Sequence, residues 1–252
     1  MHLSTLIKRV AQISFLVMVV SYISKDSLSS STHYNNLFID PPKQSITNKL
    51  PFDLEVDQEH YHITPKYNYE MEGIVVSTHH SDAFLDMAHE EWRDYLNIAD
   101  LCVIWGENVK NSVYKNMDFN NGNWTCYYSW PSAEVRQHFH EDQLSNNHLL
   151  TNNTSIKQTI MNVEPGDHIR IEGILVDYAN PANGFNRKTS ITRKDRGQGA
   201  CETIFIERFD IVQQLNSFQR VVFNISKFIF ILSSIFFLFL YFTSASKQTE
   251  QI

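Results

Sequence analysis

Glycine and proline are scarce in this chain, 8 and 7 among 252 residues, so its middle is no low-complexity segment. Cysteine is scarcer still. Cys102, Cys126 and Cys201 make an odd set, which excludes complete intramolecular pairing. No C-x-x-C pair and no Cys/His spacing of a zinc module occurs. Positive charge is also in deficit: 21 Lys and Arg face 28 Asp and Glu, for a net charge of -7. Nucleic acid is thereby excluded as the main partner, because binding phosphates needs a basic face. The local basic run from Arg187 to Arg196 does not reverse that balance. The H-E-x-x-H zinc pattern begins at His89-Glu90 and fails at Arg93, so His79, His80 and His89 are read as solvated. No cofactor is implied.

Two apolar runs are present. Val10 to Ile23 follows Lys8 and Arg9, and the segment after it offers no convincing small-x-small cleavage site, so residues 1–24 read as an uncleaved signal anchor, with a cleaved signal or a buried helix as the alternatives. The second run, Ile225 to Phe242 within a helix expected over 221–243, is apolar or aromatic from Phe228 onward except at Ser233 and Ser234. Those serines bond back to their own helix and cost little in lipid. Lys227 sits where it snorkels and Tyr241 where an interfacial aromatic belongs. With Lys8 and Arg9 inside, the middle of the chain is expected outside the inner membrane, with a short tail, 244–252, returning inside. Arg208, Arg220 and Lys227 oppose that order; a tail anchor with a cytoplasmic domain is the alternative. The lipid bilayer is the expected partner, together with an envelope protein.

Between the runs, residues 25–60 read as a polar tether and 61–215 as a β-rich domain. Ile74-Val75-Val76 after Gly73 predicts a strand. Phe84, Leu85, Ala88, Trp92, Tyr95 and Leu96 recur at helical spacing and predict an amphipathic helix over 82–97. Leu101 to Trp105 is a short apolar strand, and Asn121-Gly122 predicts a hairpin turn before W-T-C-Y-Y. Cys126 is placed to bridge either Cys102 or Cys201 in an oxidising compartment. Residues 154–163 are strand or short helix. Two long strands follow, His168 to Tyr178, with a bulge expected at Glu172-Gly173, and Cys201 to Phe209. The fold expected is α+β, mainly β: a small, partly closed barrel of OB or SH3-like kind with one amphipathic helix, flanked by transmembrane helices.

The densest polar cluster lies between those two strands. Thr189, Ser190, Arg193, Asp195 and Glu202 form a candidate ligand set suited to an anion, with Arg193 and Asp195 able to pair and Arg196, Gly197 and Gly199 completing the loop. His138, His140 and His148, beside Glu141 and Asp142, are the candidate metal ligands. A third pattern is nucleophilic: Cys201 leaves a glycine loop and enters a strand, and a Cys201–His148 dyad with Arg193 at the oxyanion would make a hydrolase or transpeptidase.

The succession DLCVIWGEN (100–108), SNNHLL (145–150), EPGDHIRIEGILVDY (164–178) and TSITRKDRGQGACETIFIERF (189–209) resembles a set of uncharacterised bacterial membrane-anchored proteins. These carry, in this order, a WG segment and motifs of the form S-x-N-x-H-L, G-D-x-V-x-x-x-G-x-L and S-x-x-R-x-D-x-G-x-G-A-C-E. The last is the most specific, and Arg196 here stands where that family has Thr. The resemblance covers about 110 residues; it implies a bacterial envelope setting and no particular reaction. The function expected is a membrane-anchored, extracytoplasmic binding or assembly module, with the Cys201–His148 enzyme and the His-based metal protein as alternatives.

Overall fold

The computed structural model describes residues 3–28, 34, 37–83, 86–195 and 200–249. Two compact units emerge. One combines residues 1–27 with 215–252, and the other is residues 28–214.

The first unit is a pair of helices, α1 (Leu3–Lys25) and α6 (Ser217–Thr249). Leu3–Lys25 and Ser217–Thr243 are both long and apolar enough to cross a membrane, and only 17% and 11% of these spans is buried. A soluble core helix would hide that surface; here it faces outward, as lipid allows. Phe15 meets Phe230 at 5.3 Å and Tyr22 meets Phe223 at 5.7 Å between ring centroids. Asn216 donates to the carbonyls of Ser24, Lys25 and Ser27 at 3.0–3.2 Å, so it satisfies acceptors that the end of α1 leaves open.

The second unit is α+β, mainly β. Its elements in chain order are β1 (Lys43–Ile46), β2 (Phe52–Val56), β3 (Glu59–His80), α2 (Met87–Glu91), β4 (Asn97–Ile104), α3 (Glu107–Lys110), β5 (Asp118–Gly122), β6 (Thr125–Ser129), α4 (Ala133–His138), β7 (Leu144–Leu150), α5 (Thr154–Ile160), β8 (His168–Asn180), β9 (Phe185–Arg187) and β10 (Glu202–Gln213). The main sheet runs β1-β3-β4-β7-β10-β8-β9, and β3 also pairs with β8. The 22-residue β3 gives its first half to β8 and its second half to β4, so the strands form a curled ring that does not close as a barrel. Inside the curl pack Tyr61, Ile63, Leu96, Leu150, Ile174, Val176, Tyr178 and Phe185, with Phe205 and Trp124 against them.

Four expectations are corrected. The stripe over 82–97 gives only the five residues of α2, with Phe84 and Leu85 outside the described residues. Asp86 caps that helix from its side chain, Arg93 takes φ 51° at its end, and Asp94 is held by the Tyr178 hydroxyl, so the chain turns straight into β4. The stretch expected to be a polar tether contributes β1 and β2, both paired to β3. The hairpin near Cys126 is present, but its turn is at Asn123-Trp124, with Trp124 at φ 59°. The bulge expected at Glu172-Gly173 lies on the facing strand, between Ile206 and Arg208. Gly173 is the cause: any Cβ there would strike the Phe205 carbonyl, so β10 approaches where only glycine permits it.

Candidate active site

Three neighbouring strands bring Asp100, His148 and Cys201 together. Asp100 on β4 stands directly opposite His148 on β7. His148 in turn stands opposite Thr203 on β10, and Cys201 lies two residues before Thr203 on the same pleat face. His148 Nδ1 meets Asp100 Oδ1 at 2.6 Å, and neither side chain has any exposure. Cys201 is half-buried and carries the free thiol; Cys102 and Cys126 form the disulfide.

Each member is held by further hydrogen bonds. Asp100 Oδ1 also accepts from Asn97 Nδ2 at 2.9 Å, and Oδ2 accepts the Trp124 backbone N–H at 2.8 Å. Burial alone would raise the Asp100 carboxyl, but the His148 charge and the His148 and Asn97 hydrogen bonds outweigh it and hold the group at about 2. Burial would lower His148, yet the Asp100 charge and hydrogen bond and the Cys201 thiol raise it to about 9. Burial would raise the Cys201 thiol, but the His148 hydrogen bond and charge and the Asn146 amide bring it below its ordinary value. Asn146 Nδ2 lies 3.7 Å from Cys201 Sγ. Its amide orientation is set by Asn121 Nδ2, which donates to Asn146 Oδ1 at 3.0 Å.

Arg187 comes over this group from β9. Its Nη1 is 2.8 Å from His148 Nε2, and its guanidinium lies 4.6 Å from the centre of the Trp124 ring. A guanidinium only donates, so at this distance Nε2 presents its lone pair and the imidazole is neutral, with Nδ1–H on Asp100. The Asp100 charge and hydrogen bond favour a proton on the ring, and the Arg187 charge opposes it.

The β5–β6 hairpin forms the wall of the site. The disulfide ties it to β4 two residues from Asp100, and the Trp124 carbonyl at its tip lies 3.8 Å from Cys201 Sγ and accepts from Asn146 at 3.1 Å.

Behind Asp100 lies a second cluster. Asn97 Nδ2 also meets His89 Nε2 at 3.0 Å; His89 Nδ1 meets Asp86 Oδ2 at 2.5 Å, and His79 Nε2 meets the same oxygen at 2.7 Å. His89 and Asp86 are buried, which corrects the expectation of solvated histidines at 89. The donor atoms of His79, Asp86 and His89 lie within 4.8 Å of one another, close enough for a metal ion. Asn97 donates into His89 Nε2, however, so Nδ1 must keep its proton and give it to Asp86. The cluster is a hydrogen-bonded support that fixes Asn97, and through it Asp100.

The expected metal set does not assemble. His148 is in the buried core with Asp100, whereas His138 ends α4 exposed, with Nδ1 on the Glu134 carbonyl, and His140 is exposed beyond it. The expected Arg193–Asp195 pair is also replaced. Arg193 pairs with the buried Glu202, while Asp195 accepts from Ser190 at 2.7 Å. Ser190 N–H donates to the Cys201 carbonyl at 2.8 Å, and Thr203 N–H donates to Thr189 Oγ1 at 3.0 Å. The candidate ligand residues Thr189, Ser190, Arg193, Asp195 and Glu202 thus stitch the loop to the start of β10 and fix the backbone at Cys201. Arg196, Gly197 and Gly199 of that loop lie outside the described residues.

Sequence reasoning paired Cys201 with His148 but missed Asp100, Asn146 and Arg187. One signal for Asp100 was available: a single carboxylate heading the apolar run LCVIW is costly to bury unless a cation meets it. Comparison with protein-family models, with curated proteins and with solved structures finds no match.

Proposed function

We propose that this chain is a membrane-anchored cysteine enzyme of the acyl-transfer class, with Cys201 as nucleophile, His148 as general base and acid, and Asp100 as the group that orients His148. The observation that carries this reading is the buried 2.6 Å Asp100–His148 contact beside a free thiol whose pKa is lowered by that imidazole. In the reaction His148 Nε2 takes the thiol proton and Sγ attacks a carbonyl carbon. Asn146 Nδ2, beside the sulfur, stabilises the oxyanion; His148 returns the proton to the leaving group, and water or an amine releases the thioester. The Cys102–Cys126 disulfide favours an oxidising compartment, outside the cytoplasm. The helix pair supports anchoring, and the motif resemblance supports a bacterial envelope setting.

The test is alkylation of the detergent-solubilised chain by iodoacetamide at pH 7. Cys201 reacts at least about tenfold faster than the same thiol in urea, and His148→Ala removes the excess, because only thiolate reacts. Equal rates in the native protein, the unfolded protein and His148→Ala would leave a non-catalytic binding or assembly module.

A further inference from the structure

Arg187 is an unusual neighbour for a general base. Its Nη1 occupies His148 Nε2, the one lone pair that the Cys201 proton must reach. Among the described residues it has no carboxylate in ion-pair contact. Its Nε is buried without an acceptor, and so is the Nε1–H of Trp124, on whose ring the guanidinium rests. Asp94, whose carboxyl feels the Arg187 charge, is a weak counter-ion: burial raises that carboxyl, and the Tyr178 hydroxyl already binds Oδ2 at 2.7 Å. Buried donors without acceptors cost free energy, and a guanidinium fork matches a carboxylate. The missing acceptor therefore belongs to something that binds here.

We propose that Arg187 is the receptor for a substrate carboxylate, and that engaging it draws the guanidinium off His148 Nε2, so that the base is released in full only when an anionic acyl substrate is in place. This rests on the Cys201–His148 reading above and names its substrate class: a carboxylate carried close to the reacting carbonyl. Trp124 Nε1 supplies a further donor to the same anion. Neutral acyl compounds meet a free base only in the fraction of molecules in which Arg187 leaves Nε2 unaided, and react more slowly.

Two alkylating agents that differ in charge test this in the detergent-solubilised full chain. Each reaction forms an Sγ–C bond, breaks C–I, releases iodide and leaves the thiol proton on His148 Nε2. Cys201 is the free cysteine, so a single site is read. The ratio of iodoacetate to iodoacetamide rate constants is measured in the native protein and in urea. The native ratio is expected to exceed the unfolded ratio about tenfold, the size of one charge-assisted hydrogen bond. Arg187→Ala and Arg187→Gln return the ratio to the unfolded value, and Arg187→Lys recovers part of it. Free acetate slows the iodoacetate reaction of the wild type by competition. Equal ratios in native and unfolded wild-type protein overturn the proposal without any variant, as does a high ratio that survives Arg187→Gln. Failure of the underlying reading looks different: His148→Ala would then leave the iodoacetamide rate unchanged, whatever the ratio does.

Discussion

Asp100 is the residue on which the proposed chemistry turns, because a buried carboxylate survives only with its acceptor capacity filled. His148, Asn97 and the Trp124 N–H fill it. A group held at about 2, below its unfolded value near 4, gives stability that is fully present above about pH 4 and is lost as pH falls through 2. Asp100→Asn therefore flattens the acid limb of a melting-temperature profile between pH 4 and pH 2, and costs about 3 kcal/mol at pH 7 by breaking a buried pair. The same variant moves the midpoint of Cys201 alkylation upward toward the ordinary thiol value, since the imidazolium loses its counter-charge; an unmoved midpoint would show that Asp100 is only structural. At this scale the sequence was half legible. Cys201 and His148 announce themselves by residue type. Arg187 looks like one more basic residue in a basic run, and only the return of β9 along β8 brings it to His148.

At the scale of elements, strand register determines which of these residues meet. Alternation in β8 and β10 was readable because one pleat face is apolar, and Gly173 marked the bulged approach, though on the opposite strand from the one expected. The spurious helix over 82–97 shows the limit. Ala88, Trp92, Tyr95 and Leu96 have helical spacing, but the side-chain ties of Asp86 and Asp94 and the left-handed Arg93 override it, and β4 starts at Asn97. The β5–β6 hairpin is the element that closes the site, and the disulfide is what fastens it. Cys102 and Cys126 are separated by 24 residues, and a loop of this size gives a stabilisation of about 3 kcal/mol. In the Cys102→Ser, Cys126→Ser double variant, stability in urea falls by about that amount. The Trp124 N–H also releases Asp100, and iodoacetamide alkylation of Cys201 slows several-fold at pH 7. Loss of stability with an unchanged alkylation rate would make the hairpin a brace with no part in the site.

For the whole molecule, the apolar runs were the most legible feature, since crossing a bilayer demands a length and composition that few soluble helices meet. Leu3–Lys25 is about 34 Å long at the helical rise, enough for a hydrocarbon core of about 30 Å. If both helices span, residues 28–214 enter and leave on one face of the bilayer, because α1 ends just before them and α6 begins just after them. Which face that is decides whether the disulfide persists and which substrates arrive. Lys8 and Arg9 in the first turns of α1, ahead of its apolar run, argue for the outer face, whereas Arg208 before α6 and Arg220 and Lys227 in its first turns argue against it. The disulfide favours the outer face proposed above, because cytosolic thiols are kept reduced. A membrane-impermeant maleimide then labels Cys201 in intact spheroplasts to the same extent as in lysed ones, and the labelled chain stays with the membrane through alkaline carbonate. Labelling confined to lysed cells would put the domain inside, leave the disulfide without an oxidising environment, and turn the search for a substrate toward the cytoplasm.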